Sequence, residues 1–335
     1  MKKYIHFVVL AALAAALLLS SCAAAVQSPV RRYRLASSQS ATYVTNQACQ
    51  RFCDLVEQAS DGSIVIEPVF DNELGSDDEA LTQCVYGGVD FVRTTVSAAA
   101  QYAPLLTALQ MPYLYTSDEH LFRVLDGTVG QQALDSLSQA GLIGMTYFYA
   151  GYRCFFTTDR PLSSLDDLQG LRLGTGASSE MDLLVEQWGA VAVPLAREQF
   201  ALALRAGQID GAEDNLPTYV DSGYYKLAPY WTYDRHTYNA DVLIASSSTW
   251  QDFTEEERAM LRDCAVEAAA WQRDHWLNAE VRAMLHASRS GCYMALLDEE
   301  QTARFREAAQ PLYDRLTPEQ QRVVEAVGEL ADPAD

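Results

Sequence analysis

From Thr254 to Ser290 the chain contains neither proline nor glycine, and no proline interrupts it before Pro311. Thr254 stands ahead of Glu255, Glu256 and Glu257. A hydroxyl is therefore placed to accept from free backbone amides, and acids face the positive end of the helix dipole. The pattern predicts one helix of over 30 residues, against a usual length of about 11 to 12. Such a rod is out of scale inside one compact domain. The 335 residues, 49% of them hydrophobic, can bury a sizeable core, and a prior of about 150 residues per domain gives roughly two bodies.

Ahead of that rod, short apolar strands alternate with amphipathic helices, the pattern of an α/β protein. Strands are expected at Tyr33–Ala36, Ile64–Val69, Val89–Arg93, Ile143–Phe148, Arg153–Thr157, Leu171–Leu173, Val191–Val193 and Ile209–Gly211. Helices are expected at about 41–60 and from Asp77 to Tyr86, the latter opened by Asp77 and Asp78, and a last one at Leu316–Leu330 after Thr317-Pro318. No internal repeat or low-complexity block is visible.

The leading residues read as a targeting segment rather than as part of the fold. Lys2 and Lys3 precede an apolar run from Ile5 to Leu19, short of the about 20 residues a membrane-spanning helix needs. The run ends in Leu19-Ser20-Ser21-Cys22, which resembles the bacterial lipobox, in which the cysteine is diacylated and becomes the first mature residue. Two acyl chains suffice for stable anchoring without a span. An ordinary signal peptide cleaved after Ala23 or Ala25 is the alternative.

Composition removes several functions. The formal charge is -21 and the isoelectric point near 4.5, so nucleic acid and anionic lipid are repelled by most of the surface. Past Lys3 the only lysine is Lys226, which leaves arginine, with its bidentate fork, as the partner for any anion. Cys49 and Cys53 share a helix face, but no histidine or second cysteine pair completes a metal site, and the six cysteines after Cys22 show no disulfide framework. No G-x-S-x-G elbow, H-E-x-x-H, phosphate loop or dinucleotide fingerprint is present. An enzyme is not expected, and neither a cofactor nor a metal is implied.

The segment Gly151 to Pro217 carries the resemblance. Gly151-Tyr152-Arg153-Cys154-Phe155, then Asp167-Leu168-Gln169-Gly170-Leu171-Arg172-Leu173, then Gly207-Gln208-Ile209-Asp210-Gly211-Ala212-Glu213-Asp214-Asn215 follow in order. They resemble the centre of the extracytoplasmic solute receptors of TRAP transporters, the DctP family. Glu73-Leu74-Gly75-Ser76-Asp77 and Gln110-Met111-Pro112-Tyr113-Leu114 resemble two further family segments, and Tyr233-Asp234-Arg235-His236 resembles the branch associated with sugar acids and uronates. The likeness spans about Tyr33 to Leu330.

The resemblance implies an α/β fold of the two-lobed, periplasmic-binding-protein-like type II class, with the long helix spanning both lobes. It divides the chain into a lipoprotein signal peptide at 1–22, a tether at 23–32, lobe I at 33–150 and lobe II at 151–239. Residues 240–285 then return to lobe I and form the spanning helix, and 286–335 supply the C-terminal helices of lobe II. The implied activity is closure of the lobes on a small polar solute, a sugar acid or other organic acid, and its delivery to TRAP membrane subunits. A sensor or scaffold lipoprotein that keeps the fold, or a receptor for a neutral solute, is the alternative.

The expected solute contacts are Arg153 and Asn215, with Arg93 and Thr95 from lobe I. A fork from Arg153 to a carboxylate would contribute roughly 1.5 to 3 kcal/mol. Asn215 follows a strand end, where ligands of α/β sheets gather, and can equally cap a helix. Arg93 can equally form a salt bridge. Glu213 is expected to orient a neighbour, Glu73 and Asp77 to bond hydroxyls, and Tyr219 and His236 to line the wall. Gly174 stands where the family pattern carries its carboxylate-clamping arginine, with Arg172 on the same strand face as a partial substitute.

Overall fold

A computed structural model describes residues 29–176 and 178–331. Cys22 and the leader lie outside the described residues. The fold is α/β and two-lobed, built on a single mixed sheet. Strands β1 (Arg31–Ala36), β2 (Ile64–Val69) and β3 (Phe91–Thr95) are parallel and belong to lobe I, with helices Val44–Ala59 and Asp77–Val85 as crossovers. Strands β5 (Arg172–Gly174), β6 (Val191–Val193) and β7 (Gly211–Asp214) form the matching parallel set of lobe II. Between the sets run two long antiparallel strands, β4 (Leu142–Thr157) and β8 (Tyr230–Ser246), and β9 (Tyr293–Leu296) pairs with β8. The order is β2-β1-β3-β8-β4-β7-β5-β6.

The two strands expected at 143–148 and 153–157 are one 16-residue strand. Gly151 does not break it, because its positive φ of 70° is absorbed in a bulge between Tyr149 and Tyr152. A Cβ there would lie 3.0 Å from the Trp276 indole, so only glycine lets the strand pass this close. The first half of β4 pairs with β8 residues Ala240 to Ser246 in lobe I, and the second half, from Tyr152 on, with residues between Tyr230 and Tyr238.

The predicted rod is helix Glu255–Arg289, 35 residues long, with the Thr254–Glu257 capping box formed. It serves the cores of both lobes. Leu261, Ala265 and Ala268 pack with Phe52 and Val56 of lobe I, while Ala283 and Ala287 join Phe156, Tyr219 and Trp231 of lobe II. Midway, the buried Gln272 accepts from the Tyr149 amide at 3.1 Å and donates to the Tyr149 carbonyl at 2.6 Å. It thereby takes over ladder bonds at the bulge that the neighbouring strand does not supply.

Helix Glu299–Tyr313 packs on helix Ser179–Gln187 of lobe II through Phe305, Ala309 and Leu312. The last helix, Pro318–Glu329, goes elsewhere: Val327 packs with Leu121 and Leu125 of lobe I, and His120 Nε2 lies 2.9 Å from the Val327 carbonyl. This helix, within the segment 286–335 expected in lobe II, lays its apolar stripe on these lobe I residues. Cys49, Cys53, Cys84, Cys154, Cys264 and Cys292 are free thiols, and among the described residues no helix is long and apolar enough to cross a membrane.

Candidate functional site

A cleft of about 320 Å³ opens between the lobes, lined from lobe I by Ser38, Asp77, Thr95 and Gln110 and from lobe II by Arg153, Thr175, Arg197 and Glu213, among others. Four expected residues, Arg153, Glu213, Asp77 and Thr95, thus meet at one surface. Asp77 is the first residue of its helix, behind the Ser76 cap, and accepts from Ser38 Oγ at 2.6 Å. Thr95 ends β3 and caps the next helix, accepting from Ala98 N at 3.1 Å.

On the lobe II wall, Glu213 and Asp214 are successive residues of β7 and point to opposite faces. Glu213 is fully buried and takes Arg153 through both carboxylate oxygens, at Nε and Nη2. His236 continues the row, with Nε2 3.6 Å from Glu213 and Nδ1 2.5 Å from Asp234, its ring stacked on Phe155 at 4.7 Å. The signs alternate along Asp234, His236, Glu213 and Arg153. Burial pulls the imidazole down, but the charge and hydrogen bond of Asp234 and the contact with Glu213 outweigh it and push His236 up to about 9. Burial pushes Glu213 up, but Arg153 and His236 outweigh it and hold the carboxyl down at about 2. Buried charges persist only when paired in this way.

The other expected residues lie off the cleft surface. Arg93 is 1% exposed and is taken by Asp241, 3.0 Å from its Nε; it stands behind the lobe I wall, where its pairing fits the salt-bridge alternative. Asn215 caps helix Leu216–Asp221, accepting from Thr218 N at 2.9 Å, and donates to Tyr43 Oη of the other lobe at 3.1 Å. Tyr219 is buried in the lobe II core and donates to the Ala228 carbonyl at 2.8 Å. His236, fully buried, sits in the charge row rather than on the wall. Glu73 is exposed and outside the cleft. Gly174 is packed over: a Cβ there would lie 2.9 Å from Phe200 Cε1 and 3.1 Å from Ile209 Cδ1. Arg172 is held by Asp210 at 2.5 and 3.0 Å.

Sequence reasoning missed Arg197. It lies four residues beyond the end of β6, in the turn Arg197–Gln199, and the rule that ligands gather beyond strand ends, applied to Asn215, would have found it after Val191–Val193 as well. Its Nε is 3.1 Å from Asp214 Oδ2, and its carbonyl accepts from Tyr224 Oη at 2.9 Å. Among the described residues no cluster of His, Cys, Asp and Glu could hold a metal ion.

Comparison with known proteins places this architecture. A solute-binding protein of Chromohalobacter salexigens is 26% identical over 291 residues, 87% of this chain and 86% of its own length. The structure is similar to that of a TRAP periplasmic solute-binding protein from Xanthobacter autotrophicus Py2 with bound β-D-galacturonate, at 28% identity and a TM-score of 0.85, covering 89% of this chain and 99% of that one. A counterpart from a Bradyrhizobium species, in complex with α/β-D-galacturonate, gives 26% identity and a TM-score of 0.86 over 89% of this chain and 100% of its own. Residues 35–320 match the family described as bacterial extracellular solute-binding protein, family 7. The chain belongs to that family, the DctP receptors of TRAP transporters.

Proposed function

We propose that this receptor closes on a monosaccharide-sized sugar acid and releases it, chemically unchanged, to TRAP membrane subunits. The observation that carries the reading is the one-sided placement of the cations in the cleft. Its two lining guanidiniums, Arg153 and Arg197, are both on lobe II, whereas the lobe I lining carries Asp77 and Asp78 with serine, threonine and amide groups and no cation. A carboxylate is matched at one wall and hydroxyls at the other, since carboxylates and amides accept and donate to sugar hydroxyls. A dicarboxylate would bring its second charge against acids. The ligands bound in the similar structures, β-D-galacturonate and α/β-D-galacturonate, are sugar acids of this size. Anchoring to the outer face of the membrane through Cys22 is the corresponding proposal for the leader, resting on Leu19-Ser20-Ser21-Cys22.

The test is calorimetric titration of the purified protein with D-galacturonate, D-glucuronate, galactonate, succinate, malate and galactose. Binding of at least one sugar acid more tightly than of either dicarboxylate is expected. Silence toward all three sugar acids, or preference for a dicarboxylate, would refute the reading. The surplus of acids in the lining, with Glu180, Glu198 and Asp221 added to those named, favours a neutral sugar as the second reading. The galactose arm decides between the two.

A further inference from the structure

The two lining guanidiniums are not equivalent. Glu213 occupies Arg153 through Nε and Nη2, and the Glu213 carbonyl takes a further contact from Nη2 at 3.4 Å. Most of the donors and the charge of Arg153 are committed to the protein. Arg197 is held differently. Asp214 Oδ2 lies 3.1 Å from its Nε but off the donor axis, so that this oxygen accepts no hydrogen bond. Among the described residues, no acceptor takes a hydrogen bond from the Arg197 guanidinium. The side chain is nevertheless three-quarters buried, at 24% exposure, and lines the cleft. Asp214 balances the charge of Arg197, but the donors of the guanidinium are unspent and stand open to a further acceptor in the cleft.

The backbone that presents Arg197 is fixed at two points. Tyr224 Oη holds its carbonyl, and the ring of Phe200, directly after the turn, lies against Gly174, where any side chain would collide with it. The glycine at this position is thus what seats the turn. Arg153 and Arg197 both line the cleft from lobe II.

We propose that Arg197 is the residue that recognises the solute carboxylate, presenting its Nη1–Nη2 edge as a fork, while Arg153 serves as the positioning partner of Glu213. The inference rests on the sugar-acid reading above and adds the residue that enforces it. It makes acid over neutral sugar a property of one turn beyond β6, and it predicts that charge discrimination can be removed without disturbing the rest of the cleft.

The experiment titrates wild type, Arg197→Gln and Arg197→Lys with D-galacturonate and with its neutral carboxamide, D-galacturonamide. Loss of a charge-assisted fork is expected to weaken galacturonate binding of Arg197→Gln by about 10- to 100-fold. The carboxamide should change by no more than about threefold, and Arg197→Lys should recover part of the loss. Unliganded melting curves of the variants establish that they are folded. If wild type binds galacturonate and Arg197→Gln binds it within about threefold of wild type, or if acid and carboxamide weaken together, Arg197 is not the recognition residue and only this inference falls. If wild type binds no sugar acid, the sugar-acid reading falls and the inference with it.

Discussion

Replacing Arg153 by methionine keeps an unbranched apolar stem, removes the guanidinium and strands Glu213. The glutamate is fully buried and Arg153 is 11% exposed on its side chain, so the pair lies where breaking one partner costs about 3 to 5 kcal/mol. His236 remains beside Glu213 and compensates part of the charge, which puts the expected loss near about 3 kcal/mol. Arg32→Met is the control, since its pair with Glu67 is 64% and 54% exposed and is worth about 0 to 1 kcal/mol. Arg153→Met with Glu213→Gln should regain most of the loss, because no charge is then left unpaired.

The effect also has a pH signature. In the wild type Glu213 is held at about 2, below its ordinary 4.5, so its stabilisation is present above pH 4.5 and fades as the pH falls through about 2. In Arg153→Met burial is no longer offset by the guanidinium, the carboxyl rises, and protonation relieves the cost. The deficit should therefore narrow from pH 7 to pH 5. Urea unfolding followed by tryptophan fluorescence measures both quantities. A loss below about 1 kcal/mol, or a deficit that does not depend on pH, would refute the buried-pair account.

Gly174→Ala places a Cβ 2.9 Å from the Phe200 ring and should cost about 1 to 3 kcal/mol by overpacking, while also weakening sugar-acid binding by tilting the turn that carries Arg197; an unchanged urea midpoint would contradict the tight seat. His236 is raised to about 9 from 6.5, so its contribution is fully present below pH 6.5 and is lost as the pH rises through about 9. The urea midpoint should fall over that window in the wild type and less in His236→Gln, and parallel curves would show that the histidine is not charged in the fold.

The parts of the fold legible in the sequence are those governed by local signals. Ile64–Val69 and Val191–Val193 are read to the residue, and the long helix announces itself through its capping box. β8 is not legible as one strand, because Asp234, His236, Asn239 and Asp241 look like loop residues until their distant partners are known. Asp241 is paired through Oδ2 with Arg93, separated by 148 positions, and no spacing rule reveals such a pair. The same limit applies to the site. Arg153, Glu213, Asp77 and Thr95 could be placed by motif order, whereas the difference between Arg153 and Arg197 depends on which carboxylate reaches which nitrogen, a property only of the folded wall.

Gln272 and Trp276, one helical turn apart, grip β4 from Tyr149 to Gly151 where the chain passes between lobes. β4, β8 and the long helix therefore cross between the lobes side by side, joined at this point. On the closing motion proposed above, occupancy would be encoded as the angle between the lobes. A membrane partner touching both halves could then distinguish a loaded receptor from an empty one without contacting the cargo.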